Sequence, residues 1–295
     1  MTSLFTVPAA SCWSARVPKS SVIAGAMLLA AFQSAYADST DSADSTGATS
    51  SASSTTASST SGSGSTASDW KVAIGPGVYL APQYPGARRL KAYPFPALDI
   101  SWRDRIFSQG PDVLGINVLT NENYHVGASL SFDFQSRKAS DDPHLRGLGD
   151  VDDGPKLRLF ADYTWWAFTG AAAVYQDISS NGQGMTASVD LYASLPLTGW
   201  LFSVGPGLTW ANAVYTRTLF GVSPNQSAAS GLPQYSTGSG VRDLHLTFYA
   251  THDFSKHWVG TVNATLGRLQ HYAAGSPITE RRRELTTFAS LDYRF

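Results

Sequence analysis

Alternation with a period of two is the feature that most narrows what this chain can fold into, and it is clearest in the final segment. From Arg283 to Phe295, the residues Leu285, Thr287, Ala289, Leu291, Tyr293 and Phe295 fall on one face of a strand. Thr286, Ser290, Asp292 and Arg294 fall on the other. A strand that is apolar on one side, polar on the other and ends on Phe is expected of the closing strand of an outer-membrane barrel. There, one face meets lipid and the other a polar lumen. Leu291, Tyr293 and Phe295 are accordingly the expected barrel assembly signal.

The same pattern recurs upstream. Trp70, Val72, Ile74, Val78 and Leu80 share a face; so do Tyr124, Val126, Ala128, Leu130, Phe132 and Phe134. Met185 to Leu195, Leu244 to Ala250 and Trp258 to Leu266 repeat it against polar partners. No run after Trp70 approaches the roughly 20 apolar residues that a membrane helix needs. A soluble sandwich also alternates. Here the strands are long, their polar faces carry isolated charges, and Trp102, Trp165, Trp166, Trp200, Trp210 and Trp258 gather where interfacial girdles belong. The expected fold class is all-β, an antiparallel transmembrane β-barrel of the outer membrane.

Connection lengths predict its size. Short turns fall near Arg103-Asp104, Thr120–Asn123, Trp165, Pro196–Gly199 and Ser255-Lys256. Long loops fall at Ala81–Lys91, Arg137–Gly154, Ser179–Gly184, Val214–Gly240 and Ala273–Arg282. The two kinds alternate, as periplasmic turns and outer loops must, only if Arg105–Val118 folds back at Gly110-Pro111. That gives about 12 strands, or about 10 if one early pair lies outside the membrane. Gly75-Pro76-Gly77 and Gly205-Pro206-Gly207 read as bulges, because proline removes a ladder donor. Pro94 and Pro96 conflict in the same way with an interior strand over Ala92–Trp102.

The amino end reads as three regions, with residues 1–37 a signal peptide, 38–69 a tether and 70–295 the barrel. Arg16 and Lys19 precede the apolar run Val22–Phe32, and Ala35-Tyr36-Ala37 supplies a small-residue cleavage site. Cleavage would remove Cys12, the one cysteine. The chain has 21 Lys and Arg against 22 Asp and Glu; without Arg16 and Lys19 the balance is 19 to 22, a net charge of −3. Nothing in that charge points to nucleic acid. Asp38–Ser68 is almost wholly Ser, Thr, Ala, Gly and Asp and is expected to be disordered.

Candidate chemistry is sparse. No serine sits in a GxSxG and no HExxH occurs. His245, inward between Asp243 and Thr247, has the makeup of a hydrogen-bonded lumen. Asp141, Asp142, Asp150, Asp152 and Asp153 form an acidic outer loop that reads as a solvated run rather than a calcium site. No catalytic, cofactor or metal residues are expected. Arg281-Arg282-Arg283, near Glu280 and Glu284, lie at the outer rim. They fit either contact with lipopolysaccharide phosphates or a rim salt-bridge cluster. Inward Arg158, Asp162, Asp190, Asp243, Asp253, Arg268, Asp292 and Arg294 mix both signs, which favours internal pairing over a selective pore. Tyr79, Tyr249 and Phe160 would help to occlude the lumen.

The stretch Phe220–Asp243, FGVSPNQSAASGLPQYSTGSGVRD, resembles the signature of the MipA/OmpV family of outer-membrane proteins. GPGVYLAPQYPGA from Gly75 and SPITERRRELTTFASLDYRF from Ser276 support the likeness, which covers Trp70–Phe295. Its signature loop residues here are Phe220, Gly221, Val222, Gln226, Ser230, Gly231, Leu232, Pro233, Tyr235, Gly240 and Asp243. The resemblance implies a non-enzymatic barrel that scaffolds murein turnover by bringing together a lytic transglycosylase and a bifunctional penicillin-binding protein. A porin-like channel or an envelope-stress or adhesion role is the alternative, since family members differ. The lipid bilayer and lipopolysaccharide are the other expected partners. Deleting Phe295 is expected to lower the outer-membrane level of the protein far more than deleting the Ser/Thr tether. Immunoblots of fractionated envelopes check this, and equal levels would refute it.

Overall fold

The computed structural model describes residues 69–295, so the expected signal segment (1–37) and all of the expected tether except Asp69 lie outside the described residues. Twelve antiparallel strands close into one barrel. They are β1 (Trp70–Pro82), β2 (Leu90–Trp102), β3 (Ile106–Gln109), β4 (Asp112–Thr120), β5 (Tyr124–Asp133) and β6 (Gly154–Trp165). They continue as β7 (Phe168–Asp177), β8 (Met185–Leu197), β9 (Trp200–Ala211), β10 (Gly240–Asp253), β11 (Trp258–Leu269) and β12 (Arg283–Arg294). Each strand pairs with its neighbours in sequence. The ring closes where β1 meets β12, from Ala73↔Arg294 to Leu80↔Thr287. Gly110-Pro111 is indeed a turn, between β3 and β4, which brings the count to twelve.

The alternation sorts side chains in the opposite sense to a soluble protein. In β6, Lys156, Arg158, Phe160 and Asp162 are buried in the barrel, while Leu157, Leu159, Ala161 and Tyr163 are exposed on its outside. An apolar exterior around a polar interior suits a closed sheet in hydrocarbon, where every backbone group must be paired within the chain. Arg268 is an exception to the sequence reading. Its neighbours Leu269 and Gly267 face inward, so Arg268 faces outward and is exposed.

Short turns and long loops segregate to opposite ends, which by the barrel rule are the periplasmic and outer ends. The girdle lies mainly at the short-turn end. Trp70 and Trp102 face each other across β1 and β2 with ring centres 6.3 Å apart, and Trp258 packs edge-on to Tyr293 at 5.2 Å. Trp210 is at the other end, opposite Val241.

The structure resolves the proline conflict in β2. β3 pairs with β2 only over Asp99–Trp102, which leaves the stretch from Leu90 to Ala97 paired with β1 alone. The carbonyl of Leu98 accepts from Gly110 N, so alternate residues of β2 turn their backbone groups toward the unpaired side. Pro94 and Pro96 share that parity. They stand on a sheet edge where a residue with an N–H would leave it without a partner.

The two Gly-Pro-Gly segments are not bulges. The ladder runs through Gly75–Gly77 against β2, and through Gly205–Gly207 against β10, with no register shift. The shifts occur instead at Val241/Asp243 and around β4. The glycines admit a neighbouring backbone. A Cβ on Gly75 would lie 1.9 Å from Leu291 O, and one on Gly205 would lie 1.8 Å from Leu191 O. Gly205→Val is therefore expected to cost about 3 kcal/mol or more in folding. Gly170, whose Cβ would meet nothing within 4 Å, should accept Ala. The shift in gel mobility on heating, which reports a folded barrel, distinguishes the two outcomes.

Candidate functional site: a joined cap over an ion-paired lumen

The Phe220–Asp243 stretch is not an open loop. It contributes to two short helices, α1 (Ala213–Phe220) and α2 (Pro224–Ser230), that begin a cap over the outer mouth. Each starts on a side-chain cap. Asn212 Oδ1 accepts from Tyr215 N at 2.9 Å. Ser223 Oγ accepts from Gln226 N while Gln226 Oε1 accepts from Ser223 N, a reciprocal capping box with Pro224 in the first turn. Gly231 ends α2 in the left-handed region, φ 76°, where a side chain is disfavoured. The chain then returns through a two-way bridge between Val222 and Tyr235.

The loops are tied to one another around the mouth. Arg137, on the 134–153 loop, donates to Leu219 O (3.0 Å) and Leu148 O (3.4 Å). Gln183, on the 178–184 loop, donates to Gln135 O at 2.7 Å, and Thr218 donates to Gly182 O at 2.7 Å. Ser276, on the 270–282 loop that carries α3 (His271–Gly275), donates to Phe220 O at 2.6 Å. Glu280 N and Arg281 N both donate to Gly86 O on the 83–89 loop. Two apolar clusters fill the cap: Tyr215, Leu219 and Phe220 against Val151 and Leu269, and Val222 and Ile278 against Tyr84, Leu145 and Leu148. A cavity of ≈ 20 Å³ beneath them, lined in part by Tyr93, Gln135, Glu284 and Thr286, has room for about one water.

Below the cap, charges pair along the inner wall, between strands no more than two apart in the ring. His245 lies between Asp190 (2.7 Å) and Asp243 (2.9 Å), and Asp243 holds Arg242 at 2.5 Å. Arg242 donates to the Tyr215 hydroxyl, which donates to Gln135 at 2.5 Å, joining β10 to the cap. Arg158 pairs with Asp112, Lys156 with Asp133, His125 with Asp162, and Arg294 with Asp253. Both ring nitrogens of His245 are occupied by carboxylates, so neither is available to a nucleophile.

The expected signature residues divide by role. Phe220, Gly221 and Val222 are buried in the cap; Gln226 donates to Leu148 O; Ser230 and Gly231 close α2; Leu232 and Tyr235 pack on the Val222 cluster. Pro233 is exposed, Gly240 begins β10, and Asp243 belongs to the lumen network. Leu291, Tyr293 and Phe295 lie together on the outward face at the short-turn end, where Tyr293 touches Trp258 and Phe295, and Phe295 N donates to Val72 O. The acidic loop is partly structural, since Asp142 caps the turn at Pro143–Leu145 and Asp150 accepts from Ala139 N. Among the described residues, no group of three or more His, Cys, Asp or Glu side chains is arranged to hold a metal ion. The capping box was open to sequence reading; Arg137, Tyr215 and Arg242 carried no local signal.

Burial pushes the Arg137 guanidinium down to about 10, against the pull of Asp150. The folded protein therefore binds this proton less tightly than the unfolded chain, and at neutral pH the buried cation costs stability. That cost is relieved as pH rises through about 10. Arg137→Ala would instead strand two buried carbonyls, an expected loss of about 2–3 kcal/mol, and Tyr215→Phe, which strands Arg242 and Gln135, should cost a similar amount. Thermal unfolding of the detergent-folded protein measures both.

No curated protein matches. Structural likenesses are distant. Salmonella typhi OmpF in complex with daunomycin is 10% identical, over 77% of this chain and 96% of that one, with a TM-score of 0.34. The Pseudomonas putida toluene transporter TodX is 8% identical, over 77% and 89%, with a TM-score of 0.36. At these values the fold rests on the strand pairing itself. The match to a protein family is of another order: it covers residues 74–295, from within β1 through β12, and makes this outer-membrane barrel a member of the MltA-interacting protein MipA family.

Proposed function

We propose that the protein is a non-enzymatic scaffold of the outer membrane that brings murein-processing enzymes to its periplasmic side. The observation that carries this reading is the family match, whose description names interaction with MltA. A lytic transglycosylase is thus the first partner, with a bifunctional penicillin-binding protein as the second. The joined cap supports the same reading against a porin-like channel. Hydrogen bonds link loops from around the mouth, and the charged groups lining the lumen below them are paired with one another along the wall. A selective pore would need unpaired groups along an open path.

The surface left for a partner is the short-turn end. Trp166 stands 78% exposed there, at a backbone φ of 56° that is strained for so large a side chain. Phe254 is 62% exposed on the 254–257 turn. We take Leu291, Tyr293 and Phe295 as the assembly signal of the barrel, and residues 1–37 and 38–69 as signal and tether.

Cross-linking in intact envelopes, followed by mass spectrometry of proteins captured with the tagged chain, tests the scaffold. Enrichment of a lytic transglycosylase or a murein synthase over other barrels is expected, with a several-fold loss in Trp166→Ala. Recovery of abundant porins and lipopolysaccharide-assembly factors alone would overturn it. Stepwise conductance in planar bilayers would favour the channel.

A further inference from the structure

We propose that the tip of the β11–β12 hairpin binds phosphate groups of the outer-leaflet glycolipid, lipopolysaccharide, between Arg268 and Arg283. The inference rests on the outer-membrane placement of the chain and is independent of the scaffold reading.

Across the twelve described strands, outward positions are apolar or neutral, with two exceptions among Asp, Glu, Lys and Arg. Those exceptions, Arg268 and Arg283, are paired directly opposite each other. Leu266 and Leu285, the preceding outward pair, are both exposed to the lipid side. The two arginines therefore stand one step beyond Leu266 and Leu285, the last leucines of this hairpin, and level with the exposed Leu244 of β10, at the outer edge of the apolar band. Opposed like charges destabilise a ladder unless something neutralises them.

The nearby acids do not neutralise them. Glu284 points into the barrel, where it accepts from Gly86 N at 2.6 Å, and Glu280 accepts from the backbone N of Arg88 at 3.1 Å. No ion pair engages Arg268, Arg281 or Arg283 among the described residues. The rim salt-bridge cluster that the sequence allowed is therefore not formed. The bonds from Glu280 N and Arg281 N to Gly86 O instead bring the 83–89 loop alongside, which adds the exposed Arg88 to the same edge.

Guanidinium groups present planar donor forks that fit phosphate oxygens two at a time. Arg268 and Arg283 stand on the outward, lipid-facing side of the sheet rather than in the lumen or on a loop tip. That orientation selects a membrane headgroup over a soluble phosphate or an acidic peptide. On the outer leaflet, the phosphorylated headgroup is that of lipopolysaccharide.

The test is binding of purified lipopolysaccharide to the full-length, detergent-folded protein, read by native mass spectrometry. The wild-type protein is expected to retain the lipid, and Arg268→Gln/Arg283→Gln to bind about tenfold or more weakly. Enzymatically dephosphorylated lipopolysaccharide should show a similar loss with the wild-type protein, a comparison that no folding defect can affect. Undiminished binding in either comparison would overturn the proposal, as would equally tight binding of phosphatidylglycerol. Envelope fractionation separates the other failure: wild-type protein found outside the outer membrane would refute the placement itself.

Discussion

A strand surrounded by hydrocarbon has no water to satisfy its backbone, so each N–H and C=O must find a partner in the chain. The ladder between β1 and β12 meets that demand by joining the first strand to the last, and the other features follow from closure. The Gly-Pro-Gly segments let neighbouring backbones approach to where a Cβ would clash. Pro94 and Pro96 occupy the one stretch of β2 that lacks a second neighbour.

Closure also divides the side chains between two solvents. Inside, charge is tolerated because it is paired: His245 is held by two carboxylates, and Arg158 by Asp112. Removing one member of such a pair leaves the other charge buried and uncompensated, a loss of about 3–5 kcal/mol. Outside, charge is nearly absent, and the Arg268–Arg283 pair stands out because like charges directly opposite each other on a ladder are disfavoured.

The outer mouth is closed by chemistry of a different kind. The loops have no common ladder, and side chains reaching backbone carbonyls join them instead: Arg137 to Leu219 O, Gln183 to Gln135 O, Ser276 to Phe220 O. Apolar clusters around Phe220 and Val222 exclude water from these bonds. A barrel capped in this way presents its short-turn end to the periplasm, which suits a family described by its interaction with a partner.

Much of the barrel was legible in the residues alone. Period-two alternation assigns each strand's faces, and turn lengths set the number and direction of the strands; both depend only on local geometry. Arg268 was misplaced because its charge suggested the lumen, although period two carried on from Leu266 puts it outward. Bulges were read into Gly-Pro-Gly because a missing donor looks the same whether the register shifts or the pairing lapses in step, as it does here against β12 and β8. The helices of the cap had a local signal in Ser223, Pro224, Gln226 and Gly231. The positions of Arg137, Tyr215 and Arg242 had none, since their partners lie up to 82 residues away in sequence. The sequence by itself thus determined that the chain closes into a lipid-facing barrel, because that pattern is local and repeats. Only the tertiary structure decided which loops meet over the mouth and which charges are left without a partner, because those outcomes depend on contacts between distant segments.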